Sequence, residues 1–182
     1  MKSQTGINSI KKVVAIGPEC TGKSELSEFL ANRFNTRWVA EYAREYLDNL
    51  NRPYAEDDLL AIAKGQLQRE KEEMSMARKV LICDTNLLVV KIWSRYKYGR
   101  CQDEILRLIH PHSYDLYLLT YIDIPWQEDP LREHPHQREA LWRLYQEELE
   151  QQQLNWVLIK GSREDRRNTA VQAIQTLLDH SK

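Results

Sequence analysis

The chain has 182 residues, 42% of them hydrophobic and 29% charged, with a formal net charge of −1. That length suits one domain with a proper core, the near-zero charge gives no electrostatic case for nucleic acid, and no apolar run approaches the length of a membrane span. The polar start, Met1 to Ser9, cannot be a signal-peptide core, and Cys20, Cys83 and Cys101 read as free thiols of a reducing cytoplasm, being odd in number and without a C-x-x-C pair.

Lys12 to Ile16 is a short apolar run that predicts a first strand. It leads straight into Gly17-Pro18-Glu19-Cys20-Thr21-Gly22-Lys23-Ser24, which fits G-x-x-x-x-G-K-[ST] at every fixed position. Gly17 and Gly22 permit backbone angles that a Cβ forbids. Successive N–H groups, including those of Glu19, Cys20 and Thr21, then turn inward around phosphate oxygens. Lys23 reaches the β- and γ-phosphates of ATP as a point charge, and the Ser24 hydroxyl ligates Mg²⁺. Leu26, Phe29, Leu30 and Phe34 follow at helical spacing. Strand, glycine loop and helix is the context that the motif requires.

Thr36 to Ala40 reads as a second strand, closed by Glu41-Tyr42-Ala43-Arg44-Glu45 and a short helix to Leu50. Asn51-Arg52-Pro53 is a turn. Glu56, Asp57 and Asp58 then stand where a helix start favours negative charge, and that helix is expected to run to about Arg78. Lys79 to Asp84 is a third strand, continuously apolar and closed by an acid, the pattern of a strand covered on both faces. A helix carries Leu87 to Tyr98 to a break at Gly99, with Trp93 at core spacing, and a shorter helix holds Ile105 to Ile109. Tyr114 to Thr120 is the fourth strand. The stretch from Tyr121 to Arg138 is too long and too charged for a plain connector and reads as a lid. A helix over Glu139 to Gln153, a fifth strand over Asn155 to Lys160 and a closing helix from Arg163 to His180 complete the order. Alternation of this kind predicts one α/β domain over residues 1–182, a P-loop NTPase three-layer sandwich with a mainly parallel sheet of about five strands.

In such a sheet, ligands bind beyond the carboxyl ends of the strands. The phosphate loop, Glu41, Asp84, the lid and Gly161 all follow a strand, so they are expected to share one rim, with Gly161 on the nucleotide side. Asp84 stands where a second acid holds Mg²⁺ opposite Ser24. Thr85 follows it in place of the glutamate that hydrolytic motors use to activate water, and no N/T-K-x-D segment marks a guanine switch. Glu41 is a candidate to orient an attacking hydroxyl, a role for which Asp84 also stands open, and Arg44 is a candidate substrate clamp. Arg132 and Arg138 are expected to close over the transferring phosphate. Trp126, in a polar loop, suits an aromatic platform for an acceptor ring. The triplets His110-Pro111-His112 and His134-Pro135-His136 each lack the third ligand of a metal site.

The segments G-P-E-C-T-G-K-S at 17–24, E-Y-A-R-E-Y at 41–46, C-D-T at 83–85 and D-I-P-W-Q-E-D-P-L-R at 123–132 together resemble the ribosylnicotinamide kinase domain of the NadR family. The last pattern is the most particular, and the resemblance covers nearly the whole chain. It implies a nucleoside/nucleotide-kinase-like fold, ATP and Mg²⁺, and transfer of the γ-phosphate to the 5′-hydroxyl of nicotinamide riboside in NAD salvage. It also implies that Asp84 lies near metal and acceptor, and that Trp126, Asp129 and Arg132 belong to the substrate lid. Pro130 departs from the glycine expected there. No H-x-G-H is present, so the resemblance implies a product that is the mononucleotide and not the dinucleotide. Two alternatives stay open: a kinase of another nucleoside or nucleotide, and an ATP-binding regulatory module.

Overall fold

The apolar runs become strands whose side chains are covered on both faces. The computed structural model describes residues 10–132 and 136–180. In chain order the elements are β1 (Lys11–Ile16), α1 (Lys23–Phe34), β2 (Trp38–Val39), α2 (Tyr42–Asp48), α3 (Glu56–Met74), β3 (Val80–Asp84), α4 (Leu87–Tyr98), α5 (Asp103–Ile109), β4 (Leu116–Thr120), α6 (Arg138–Gln151), β5 (Trp156–Ile159) and α7 (Arg163–Asp179). The polar start at Met1 to Ser9 and the greater part of the second His-Pro-His triplet lie outside the described residues.

The five strands form one sheet in the order β2-β3-β1-β4-β5, and every pairing is parallel. All carboxyl ends therefore share one rim, as the strand order of a doubly wound sheet requires. Val13, Ile82, Leu116 and Leu118 pack against Leu26 and Leu30 of α1 and Ile174 of α7. The alternate residues Val14, Ile16, Leu81 and Leu119 face Leu88 and Ile92 of α4 and Leu141 and Leu149 of α6. These are the outer layers of the sandwich. A satellite core joins α3, α4 and α5 through Leu59, Ile62, Leu87 and Ile105, and α2 lies against α3.

Among the boundaries that differ from the sequence expectation are those of β2 and α3. The second strand holds only Trp38 and Val39. The Thr36 hydroxyl donates to the Val80 carbonyl and accepts the Arg78 N–H, and Arg37 pairs with Glu73, so polar side chains take over where ladder bonds were expected. Helix α3 stops at Met74, four residues early; the Ser75 hydroxyl bonds the Glu72 carbonyl, and Lys79 adopts a left-handed φ of 58° as the chain turns into β3.

Candidate active site

The phosphate loop is held from below by Thr120, the last residue of β4. The Thr120 hydroxyl donates to the Ile16 carbonyl at 3.0 Å, and the Thr21 hydroxyl lies 2.7 Å from it and 2.8 Å from the Pro18 carbonyl. Gly17 passes this post at φ 141°, and a Cβ there would lie 2.5 Å from Thr120 Oγ1. Only glycine fits. Thr21, fully buried, thus contributes its side chain to the loop's shape and not to a ligand. Arg166 of α7, also buried, donates to the Thr21 and Tyr121 carbonyls and pairs with Asp123. Lys23 Nζ lies across the loop, donating to the Pro18 carbonyl at 2.7 Å.

Asp84 ends β3 beneath α1, 1% exposed, with the Ser24 side chain beside its carboxylate. Burial and then the nearby charge of Glu41 raise its pKa from 3.8 to about 7, against the opposing influence of Lys23 and Ser24. Its Oδ1 is buried without a hydrogen-bond partner. An orphaned carboxylate oxygen beside a serine hydroxyl, at a phosphate loop, is what a Mg²⁺ site of this type needs from protein, the remaining ligands being phosphate oxygens and water. Among the described residues no group of three or more His, Cys, Asp or Glu is placed to hold a metal by itself.

Glu41 is positioned by a close helix contact. A Cβ at Gly65 of α3 would lie 2.0 Å from the Tyr42 ring, so the glycine opens the space that the ring fills. Gln66 Oε1 accepts the Tyr42 N–H at 2.8 Å. The start of α2 is pinned on both counts, and Glu41, one residue before, faces the cleft.

That cleft is continuous, about 560 Å³, and runs from the phosphate loop to an aromatic end. Gly17, Glu19, Cys20, Thr21, Gly22, Lys23 and Ser24 line one half, and Glu41, Arg44 and Arg132 line it farther along. Helix faces build the rest: Val89, Ile92, Trp93 and Tyr96 of α4 at helical spacing, Leu141 and Tyr145 of α6, and Tyr54 before α3. The Trp93 and Tyr54 rings meet edge to face at 5.0 Å, with Trp93 Nε1 donating to the Tyr54 hydroxyl at 2.9 Å. Burial, with Glu41 and Glu19 nearby, pushes the Tyr145 hydroxyl far above its usual range.

Several expected site residues stand elsewhere. Trp93, read as core, packs against the α3–α4–α5 core and lines the cleft as well. Trp126, read as a ring platform, is not in the lining; it stacks near the Arg132 and Arg138 guanidinium groups, 5.9 and 6.0 Å from its ring, and donates to Glu128. Arg138 is not in the lining. It is buried, its guanidinium donating to the Ile124 carbonyl of the lid stem at 2.9 Å and to the Cys20 carbonyl of the phosphate loop at 3.0 Å, so it braces the one against the other. Gly161 is outside the lining as well; at φ 95° it donates its N–H to Asp123 and ties the end of β5 to the lid stem. Arg44 is paired with Asp129. Cys20 is a hub of lid contacts, its Sγ lying 3.3 Å from the Gln127 N–H donor and 3.5 Å from Arg132 Nη1. Sequence reasoning passed over Thr120, Arg166, Tyr54, Tyr96 and Tyr145, which carry no motif of their own.

The phosphate loop, the strand-end acid facing its serine and the lid over a second compartment follow the plan of a P-loop kinase. The family described as AAA domain matches residues 12–166, and the chain belongs to it. Among curated proteins it is similar to the trifunctional NAD biosynthesis/regulator protein NadR of Salmonella typhimurium (strain LT2) and of Escherichia coli (strain K12), 30% identical to each over 166 residues. Those matches take in 87% of this chain and 40% of each relative, so the chain spans well under half the length of these proteins. Among solved structures it is similar to NadR protein in complex with NR, with TM-score 0.78 and 20% identity over 94% of this chain and 52% of that one. Deoxyadenosine kinase from M. mycoides, solved with products bound, has TM-score 0.62 and 16% identity over 91% of this chain and 99% of its own. No helix among the described residues is long and apolar enough to cross a membrane.

Proposed function

We propose that this chain transfers the γ-phosphate of ATP to the 5′-hydroxyl of nicotinamide riboside, acting on a free nucleoside and not on a nucleotide. The observation that carries this reading is the charge distribution along the cleft. Of the arginines that line it, Arg44 is paired with Asp129 and Arg52 bidentately with Asp58, while Arg132 is turned to the Gln127 carbonyl within the lid. The walls there are the rings of Tyr54, Trp93, Tyr96 and Tyr145, with Glu41 beside them. Aromatic faces and a carboxylate favour a flat, positively charged ring such as a pyridinium, whereas an acceptor monophosphate asks for an unpaired cation. The likeness to NadR, with its NR complex, supports the same acceptor.

Catalysis on this plan is positioning and charge neutralisation, because a loose phosphoryl transition state asks little of a base. The loop N–H groups and Lys23 hold the β- and γ-phosphates. Ser24 and Asp84 are the residues that would hold Mg²⁺, which supplies further neutralisation of the phosphate oxygens when bound. Glu41, in the cleft between loop and aromatic end, orients the hydroxyl, and Arg132 faces the transferring group from the lid. ATP is the donor, a small nucleoside the acceptor.

The test is a coupled assay with ATP and Mg²⁺ against nicotinamide riboside, deoxyadenosine, thymidine and thymidine monophosphate. The reading expects nicotinamide riboside to be used with the highest kcat/KM and thymidine monophosphate not at all. Preferred use of the monophosphate overturns it. Thermal stabilisation by ATP and nicotinamide riboside together, beyond the sum of the two alone, is the matching binding result.

A further inference from the structure

We propose that Arg44 is a positioning residue of the transfer reaction: through Asp129 it latches the lid across the mouth of the acceptor compartment and fixes Arg132 there. This rests on the kinase reading above.

The two partners come from different sides of the cleft. Arg44 lies on α2, three residues after Glu41, and its neighbour Ala43 and Leu47 one turn on line the acceptor half. Asp129 lies in the lid, 85 residues later. A hydrogen-bonded ion pair joins them, with the Asp129 side chain 14% exposed and that of Arg44 52% exposed, so the carboxylate is turned inward and the guanidinium reaches over the rim to meet it. Arg44 holds the Asp129 carboxyl below its usual range, which keeps the pair charged at neutral pH.

Asp129 divides its oxygens between two tasks. Its Oδ1 accepts the Leu131 N–H at 3.0 Å, while its backbone carbonyl accepts the Arg132 N–H at 3.0 Å. These bonds define a turn over Asp129-Pro130-Leu131-Arg132, with aspartate and proline in the first two positions, where each is favoured. Pro130 is therefore suited to this turn, and glycine is not required. The other oxygen, Oδ2, takes Arg44 and stands 4.0 Å from Arg132 Nη2. One carboxylate oxygen thus faces both guanidinium groups, one from the acceptor helix and one from the lid. The Arg132 guanidinium is completed by the Gln127 carbonyl and Cys20 Sγ. Pulling Asp129 toward α2 sets the turn from which Arg132 extends, and Pro130, Leu131 and Arg132 are the lid residues that line the cleft. Without the latch, the lid turn is free to lift, Arg132 loses its place, and water reaches the γ-phosphate.

A double-mutant cycle on the full chain tests this, with Arg44→Gln, Asp129→Asn and both together; Asp129→Asn keeps an oxygen for the Leu131 N–H. The readouts are kcat and KM for both substrates, ATP hydrolysis without acceptor, and hydrogen exchange at the amides of residues 121–132. Each single variant is expected to lower kcat about five-fold, the scale of an exposed ion pair, with KM for ATP unchanged. The ratio of idle hydrolysis to transfer and the lid exchange both rise. The double variant is no worse than Asp129→Asn alone, since that change already removes the Arg44 pair together with the attraction to Arg132, and Arg44→Lys recovers most of the loss of Arg44→Gln. Additive losses, or lid exchange that stays at the wild-type rate in Arg44→Gln, overturn the latch. A wild-type chain that phosphorylates no nucleoside defeats the kinase reading instead, and the exchange measurements still decide whether Arg44 holds the lid.

Discussion

The Ser24 side chain stands beside the buried carboxylate of Asp84, so the first turn of α1 meets the end of β3 there. On the proposed reading these two residues would hold Mg²⁺, at a buried point of the rim where a carboxylate charge is costly without a cation. Function and stability therefore pull against each other at Asp84.

Replacing Asp84 by Asn should abolish most Mg²⁺-dependent turnover while stabilising the ligand-free fold in a pH-dependent way. The folded-state pKa is raised from 3.8 to about 7, so the stability that belongs to the neutral form is intact below about pH 4 and is lost as pH rises through 7. Asn stays neutral throughout. The variant's advantage should therefore be absent at pH 4, grow between pH 4 and 7 and level off above, reaching a few kcal/mol, or roughly 5 °C or more in Tm. Melting curves of both proteins in chelator across that range check it. A constant Tm difference between pH 5 and pH 8 excludes a burdened carboxylate.

Lys23→Ala should lower transfer by about 10²-fold or more, the scale of losing a preorganised charge partner in the transition state. Its one hydrogen bond among the described residues, to the Pro18 carbonyl, lies within the loop itself, so the fold should hardly notice. The measurement is single-turnover kinetics alongside a melting curve. Transfer within a few-fold of wild type would remove Lys23 from the mechanism.

Much of this was legible in the chain because the relevant residues encode backbone geometry or continuous burial. Gly17, Gly22, Lys23 and Ser24 announce the loop, Lys79 to Asp84 announces a strand covered on both faces, and Tyr114 to Thr120 announces the next. Side-chain destinations were less legible. Trp93 repeats with Val89, Ile92 and Tyr96 at helical spacing, but periodicity reports that a helix face is covered and not whether core or cleft covers it. Arg132 and Arg138 look alike in sequence; only the positions of the Cys20 and Ile124 carbonyls decide which guanidinium becomes a buried brace. Thr36 resembles a strand residue and instead bonds β3 through its hydroxyl.

Gly65→Ala is a sharp test of how Glu41 is placed. The added methyl would fall inside the Tyr42 ring, and overpacking of this kind costs about 1–3 kcal/mol. Relief requires α2 to shift, carrying Glu41 and Arg44 with it. The variant should be destabilised in denaturant unfolding and should lose kcat and acceptor affinity together, with KM for ATP close to wild type. A variant that is destabilised yet keeps both acceptor parameters would separate Glu41 from this contact.

The two tryptophans of the site should part in kinetics. Trp93 lines the acceptor end, held edge to face against Tyr54, so Trp93→Ala removes a ring face from the compartment and a donor from the Tyr54 hydroxyl. An aromatic contact is worth about 0.5–1.5 kcal/mol beyond its area, so KM for the nucleoside should rise several-fold or more, with KM for ATP unchanged. Trp93→Phe should recover the stacking and leave only the lost hydrogen bond. Trp126 is outside the cleft and shields the Arg132 and Arg138 guanidinium groups, so Trp126→Ala should loosen the lid and lower kcat, leaving the nucleoside KM near wild type. Steady-state kinetics on the three variants decide the matter. A raised nucleoside KM in Trp126→Ala, with none in Trp93→Ala, would mean that the acceptor ring sits beneath the lid and not against α4.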